Sequence, residues 1–143
     1  MNPSAALDIE VCQLCAAHGP REVLHDLTFA IRPARLTALI GPNGSGKTTL
    51  LRVLAGLQPV RSGRVTVGGR DAARLPDRER ARLIGYLPQQ HRAVFPLTVR
   101  DVVLTGRIGL AGWRPSPADE LAAEEAIREL GLAGLAARPY TTL

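Results

Sequence analysis

Lysine is almost missing from this sequence: Lys47 stands alone among 18 basic side chains. Aromatic residues make up only 3% of the chain, which leaves little surface for stacking bases. The arginines are scattered rather than gathered in a run. A net charge of +5 therefore draws no nucleic-acid footprint, and no nucleic-acid partner is expected. Cysteine occurs twice, as Cys12 and Cys15. A four-Cys zinc site is thereby excluded. The pair falls three apart within a strand-like segment, so the thiols are expected on opposite faces, reduced and structural. No apolar run approaches the ~20 residues of a membrane span; AVFPLTVRDVVLTG is broken by Pro96, Arg100 and Asp101. The N-terminus lacks a basic stretch followed by an apolar one, so no secretory signal is expected.

What remains is an ordinary soluble composition, 45% hydrophobic over 143 residues, enough for one domain with a buried core. LDIEVCQL and EVLHDLTFAI alternate with period two. Leu7, Ile9 and Val11 share one face, as do Leu27, Phe29 and Ile31, which predicts two antiparallel strands around the turn HGPRE. LTALIG is a short unbroken apolar run, the pattern of a strand buried on both faces. A helix is expected from Lys47 to Gly56 with Leu50, Leu51 and Leu54 inward. SGRVTVGGR predicts a short strand, LPDRERARL a charged helix and IGYLPQ a second apolar strand. LTVRDVVLTGR opens with Thr98 and Asp101 at capping-box spacing, and Ser116 and Asp119 repeat that spacing before a helix with Pro117 at its first position. Ala123, Ile127 and Leu130 form the apolar stripe of that helix, and Gly131 suits its end.

The chemistry concentrates between these elements. Gly41-Pro42-Asn43-Gly44-Ser45-Gly46-Lys47-Thr48 satisfies G-x-x-x-x-G-K-[ST] after an apolar run and before a helix. Glycines admit backbone shapes barred to other residues and let amides approach phosphate oxygens. The helix N-terminus adds unpaired N–H groups and a partial positive charge. Lys47 suits the β- and γ-phosphates, and the Thr48 hydroxyl is a hard ligand for Mg2+. An ammonium is a compact charge, whereas a guanidinium is a wide planar fork. A chain that otherwise uses arginine is therefore expected to keep lysine at this position.

GPNGSGKTTLLRVLAGLQPVRSGRVTVGG and IGYLPQQ together resemble the Walker A segment and Q-loop of the ATP-binding subunits of ABC transporters. The resemblance implies an α/β P-loop NTPase with a RecA-like core. Residues 1–35 would form an antiparallel β subdomain, 36–90 the core with Walker A and Q-loop, and 91–143 the start of a helical subdomain. It implies ATP and Mg2+ as cofactors, held by residues 41–48 and Thr49. Thr48 and Gln89 would serve the metal, and Lys47 and Gln89 the catalysis. His18 falls where the family stacks an aromatic residue on adenine. The implied partners are a membrane permease, a second ATPase subunit and, indirectly, a substrate-binding protein, at the cytoplasmic face of the cell membrane. Phe95, Pro96, Leu97 and Val99 fall where the permease docks.

The stretch GRDAARLPDRERARLIGYLPQQHRAVFPLTVRDVVLTGR is most similar to ATPases that import iron-siderophore, haem or cobalamin complexes, with zinc or manganese as the alternative cargo. The chain stops at RPYTTL, where the family's Ser-Gly-Gly signature would follow, and it contains no four apolar residues followed by Asp-Glu. A truncated chain that binds ATP without hydrolysing it alone is therefore expected, and a non-catalytic nucleotide-binding module is the alternative. A GTPase or kinase is disfavoured, because there is no Asn-Lys-x-Asp and no second lysine.

Overall fold

The computed structural model describes residues 7–89, 96–111 and 114–143. They fall into two compact units, one running to Tyr86 and the other from Leu87 to Leu143.

The first unit is built on an antiparallel sheet. Strands β1 (Ile9–His18) and β2 (Arg21–Ile31) form the expected hairpin. Strands β3 (Ser62–Val67) and β4 (Arg70–Asp71) complete the order β2-β1-β3-β4. Val11, Leu14 and Ala16 of β1 are buried and pack with Leu24, Val65 and Val67. That spacing is not strict alternation. An extra residue at Gln13, with φ 47°, bulges β1 between Val11 and Leu14, and Asp26, with φ 45°, marks the compensating irregularity in β2. The Gln13 amide, pushed off the ladder, donates to Thr28 Oγ1 at 3.0 Å. A bulge adds one residue without reversing the faces beyond it, so Leu14 and Ala16 remain inside. The same bulge removes the basis for placing Cys12 and Cys15 on opposite faces.

Helix α1 (Lys47–Leu54) covers the inner face of the sheet with Thr49, Leu50, Val53 and Leu54. It ends earlier than expected. The Leu57 amide bonds back to Arg52 and that of Gly56 to Val53, a Schellman closure that needs the left-handed Gly56. Leu51, expected inside, is 47% exposed, and Val53 takes its place. Helix α2 (Asp77–Leu83) forms where LPDRERARL predicts it, after a turn in which Asp71 caps Ala73.

Two expected strands do not form. Residues 36–40 and 84–88 run without a ladder, and Leu36, Ile40 and Leu87 are at least 90% exposed. The reason is mutual dependence. A strand meant to be buried on both faces exists only when neighbours complete its hydrogen bonds, and no described strand lies beside either segment.

In the second unit, α3 (Val99–Ala111) packs on α4 (Pro117–Glu129). Both predicted capping boxes are present. Thr98 N and Asp101 Oδ2 lie 3.0 Å apart, with the Asp101 amide returning to Thr98 Oγ1 at 3.1 Å. Ser116 N donates to Asp119 Oδ2 at 3.0 Å, with the reciprocal bond at 3.3 Å. The segment 136–140 holds the start of α3, through Val99 N to the Arg138 carbonyl and Tyr140 N to the Leu97 carbonyl. Val99 is buried, whereas Leu97 is 39% exposed; Phe95 lies outside the described residues. Leu130, expected on the buried stripe, is 70% exposed, because it is the cap residue at which the Gly131 turn leaves the helix.

Asp119 ties the two helices together. It is buried, and its Oδ1 accepts from Arg107 Nε at 3.0 Å, so the box on α4 also anchors α3. The Ser116 side chain first, then the Ser116 amide and Arg107, hold this carboxyl below its ordinary value of 3.8. A depressed carboxylate stabilises the fold above its unfolded value and loses that contribution as pH falls through the lower folded value. Asp119→Asn is therefore expected to lower the melting temperature at neutral pH. The gap from the parent should close as pH drops below 3.8. A pH-independent gap in thermal melts would contradict this role.

Candidate functional site

The loop from Gly41 to Gly46 leads into α1 and lies against β2. Its shape is set at Gly46, which is left-handed with φ 88° and caps α1 without any side-chain hydrogen bond. A Cβ there would sit 2.8 Å from Leu24 Cδ2 and 3.3 Å from the Val23 carbonyl oxygen. Conformation and space both demand glycine. Gly44 is also left-handed, at φ 79°, but a Cβ on it meets nothing within 4 Å. Sequence reading found the loop but not Val23 and Leu24, which form the wall behind it. Their apolar alternation carries no sign of that second duty.

The loop gathers donors. The Ser45 amide turns back to the Pro42 carbonyl at 3.3 Å. Among the described residues, the amides of Gly46, Lys47, Thr48 and Thr49 have no protein acceptor, as expected for the first turn of a helix. No acidic residue lies in that turn to occupy them. Lys47 Nζ donates to the carbonyls of Gly41 at 2.8 Å and Pro42 at 2.7 Å, so the ammonium arches across the loop. The exposed Thr48 side chain has no partner among the described residues, and Thr49 is buried. A cluster of free amides, one compact cation and the exposed Thr48 hydroxyl suits an oxyanion chain accompanied by a hard cation. Among the described residues, no group of three or more His, Cys, Asp or Glu side chains is placed to hold a metal without such an anion.

Behind the loop lies a largely apolar cavity of ≈ 600 Å³, lined by β2, residues 37–42 and α1 and including Phe29, Leu39 and Leu51. Its lining suits aliphatic side chains rather than phosphate. His18, at the end of β1, lines a different hollow of ≈ 470 Å³ with Arg52, Gln58 and Arg61. No residue of the 41–48 loop lines that hollow. Gln89 lies in an exposed bend of the second unit. The loop residues, Lys47, Thr48 and Thr49 are thus brought together within the first unit, where His18 lines a separate hollow. Among the described residues, no helix is long and apolar enough to cross a membrane.

Comparison with known proteins bears on the same residues. The family model described as ABC transporter matches residues 24–143. The chain is 38% identical over 144 residues to the zinc transport system ATP-binding protein TroB of Treponema pallidum (strain Nichols), covering 98% of this chain and 52% of that protein. It is 40% identical over 123 residues to the hemin import ATP-binding protein HmuV of Rhizobium meliloti (strain 1021), covering 86% and 46%. The chain thus spans about half the length of these curated relatives. A solved ATP-binding subunit of an ABC transporter superposes with a TM-score of 0.73 at 25% identity, covering 92% of this chain and 53% of that one.

The different surroundings of the loop glycines give a direct check. Gly46→Ala places a methyl against β2 and is expected to lower the melting temperature of the first unit or unfold it. Gly44→Ala carries only the left-handed penalty, of about 1 kcal/mol. Equal melting temperatures for the two variants would contradict the wall assigned to Val23 and Leu24.

Proposed function

Because this chain belongs to the ABC transporter family, we propose that it binds ATP through residues 41–48 as part of the ATPase subunit of an importer. The observation that carries this reading is the set of unpartnered amides at Gly46–Thr49 beside the Lys47 ammonium. The amides receive the phosphate oxygens. Lys47 leaves two neutral carbonyls for two anionic oxygens, an exchange favoured by charge-assisted hydrogen bonding. Thr48 offers its hydroxyl to Mg2+, which when bound offsets the charge of the phosphates. Gln89 joins that metal and the water, and His18 meets the adenine, as the family resemblance implies.

The partners follow from the same membership: a permease in the membrane, met at the cytoplasmic face through the exposed Leu97, and a second ATPase subunit. A substrate-binding protein acts upstream of them. The proposed cargo is a metal-containing solute, either an iron-siderophore, haem or cobalamin complex, or the zinc or manganese ion. Relatives named for hemin import and for zinc transport support both kinds, and the α2 helix between β4 and the Q-loop supports the complexed form. Binding and turnover are separable in this chain. No apolar run ending in Asp-Glu occurs in its sequence, so no carboxylate is assigned to polarise the water.

The test is Lys47→Arg. Charge is conserved but the planar fork does not fit the arch over the loop. Losing one charge-assisted contact costs about 1.5–3 kcal/mol. ATP affinity measured by calorimetry should therefore fall roughly ten- to a hundred-fold. Phosphate release assayed in the same samples should stay at background for both proteins. Unchanged affinity would overturn the assignment of ATP to this loop, and steady release that depends on Lys47 would overturn the separation of binding from turnover.

A further inference from the structure

The hollow at the end of β1 has fixed walls. Gln58 Nε2 donates to the Ala17 carbonyl at 2.6 Å, and the Arg61 amide donates to the Cys15 carbonyl at 2.8 Å. These bonds tie residues 58–61 to β1. The Leu57 amide ties the same segment to α1 through the Arg52 carbonyl, also at 2.8 Å. His18, Arg52 and Gln58 line the space between. The bond to Ala17 also fixes which way the Gln58 amide faces. A backbone carbonyl only accepts, so the NH2 end of the side chain must point at it. The Oε1 end of this half-buried residue is left without a donor among the described residues.

The rest of the hollow offers flat surfaces. Arg61 is engaged by Glu22 Oε2 at 3.0 Å. His18 and Arg52 have no hydrogen bond or ion pair among the described residues. An imidazole and a guanidinium both stack on aromatic rings. A flat ring that carries an amino group suits this lining, with its faces toward the planar side chains and its N–H toward Gln58. The hollow also lies along the helix that begins at the glycine loop. Thr48 and Arg52 are four apart on α1 and so share a face, about 6 Å apart along the axis. A nucleotide whose phosphates meet the first turn of α1 can therefore lay its base along that face.

We propose that Gln58 sets the base preference of the nucleotide site: its Oε1 accepts a hydrogen bond from the 6-amino group of adenine while the ring lies against His18 and Arg52. The inference rests on the reading that the 41–48 loop holds the phosphates and His18 meets the adenine. Selectivity follows from the fixed amide. Adenine presents a donor at position 6, whereas guanine and hypoxanthine present a carbonyl oxygen there. Such an oxygen would face Oε1, acceptor against acceptor. The amide cannot turn over to offer its NH2 end without breaking the bond to the Ala17 carbonyl. A site built around one hydrogen bond rejects a ligand that cannot make it.

The test is calorimetry on the 143-residue chain with Mg2+ present, comparing ATP, inosine triphosphate and inorganic triphosphate. The parent should bind ATP roughly ten-fold more tightly than inosine triphosphate, the effect of one hydrogen bond made or missing. Gln58→Met should bind the two nucleotides equally and bind inorganic triphosphate as the parent does. The readout is a ratio, so a general loosening of residues 58–61 in the variant does not imitate the result. A ratio near one in the parent would refute the role of Gln58, whatever the stability of the variant. A preference for ATP that survives in Gln58→Met would refute it equally. Both outcomes leave the phosphate assignment standing. A parent that binds neither ATP nor inorganic triphosphate would overturn that assignment, and this inference with it.

Discussion

The approach of Gly46 to the backbone of β2 is the contact on which the proposed site depends. It places the end of the glycine loop against Val23 and Leu24, with no room for a Cβ. Because β2 is paired along β1 and packed into the apolar core, the loop inherits the rigidity of the sheet. Helix α1 then starts at Lys47 with its first-turn amides directed away from any protein acceptor among the described residues. Anion binding at such a terminus is favourable only if the amides are held in place beforehand. The antiparallel hairpin supplies that hold.

Much of this was legible in the sequence because it is local. The glycine loop, both capping boxes, the Gly131 stop and the β1–β2 hairpin are each written in a few adjacent residues. Thr98 with Asp101 and Ser116 with Asp119 form the boxes their spacing predicts. What could not be read depends on residues distant in sequence. LTALIG and IGYLPQ have the composition of buried strands, but a strand is a relation between segments, and residues 36–40 and 84–88 have no described strand to pair with. The bulges at Gln13 and Asp26 were likewise invisible. Neither residue type requires a positive φ, and only the pairing of β1 on both sides exposes the extra residue. Leu51 and Leu130 erred by the same rule, since helical spacing gives a face but not what lies opposite it.

Residues 37–40 and the loop line one cavity. The cavity beside α1 includes Leu39, Leu51 and Phe29 in its lining. An apolar surface of this kind favours association and makes the unit vulnerable to aggregation. The second unit answers to different forces. Its two helices are joined through the buried Asp119 and the Arg107 guanidinium, whose geometry serves both a cap and an interhelical contact. Breaking one partner of such a pair leaves a buried charge uncompensated, so this carboxylate matters more to the helical unit than the exposed ion pairs of Arg100 with Glu120 and Glu124.

The central claim is that the amides at the start of α1, held by the sheet, grip a phosphate chain. Amide chemical shifts in 15N-labelled protein test it directly, with ATP compared against adenosine at equal concentration. The account predicts that ATP shifts the resonances of Gly46, Lys47 and Thr48 most and that adenosine leaves them in place. Shifts spread evenly over the chain, or equal responses at those three amides to ATP and adenosine, would contradict it.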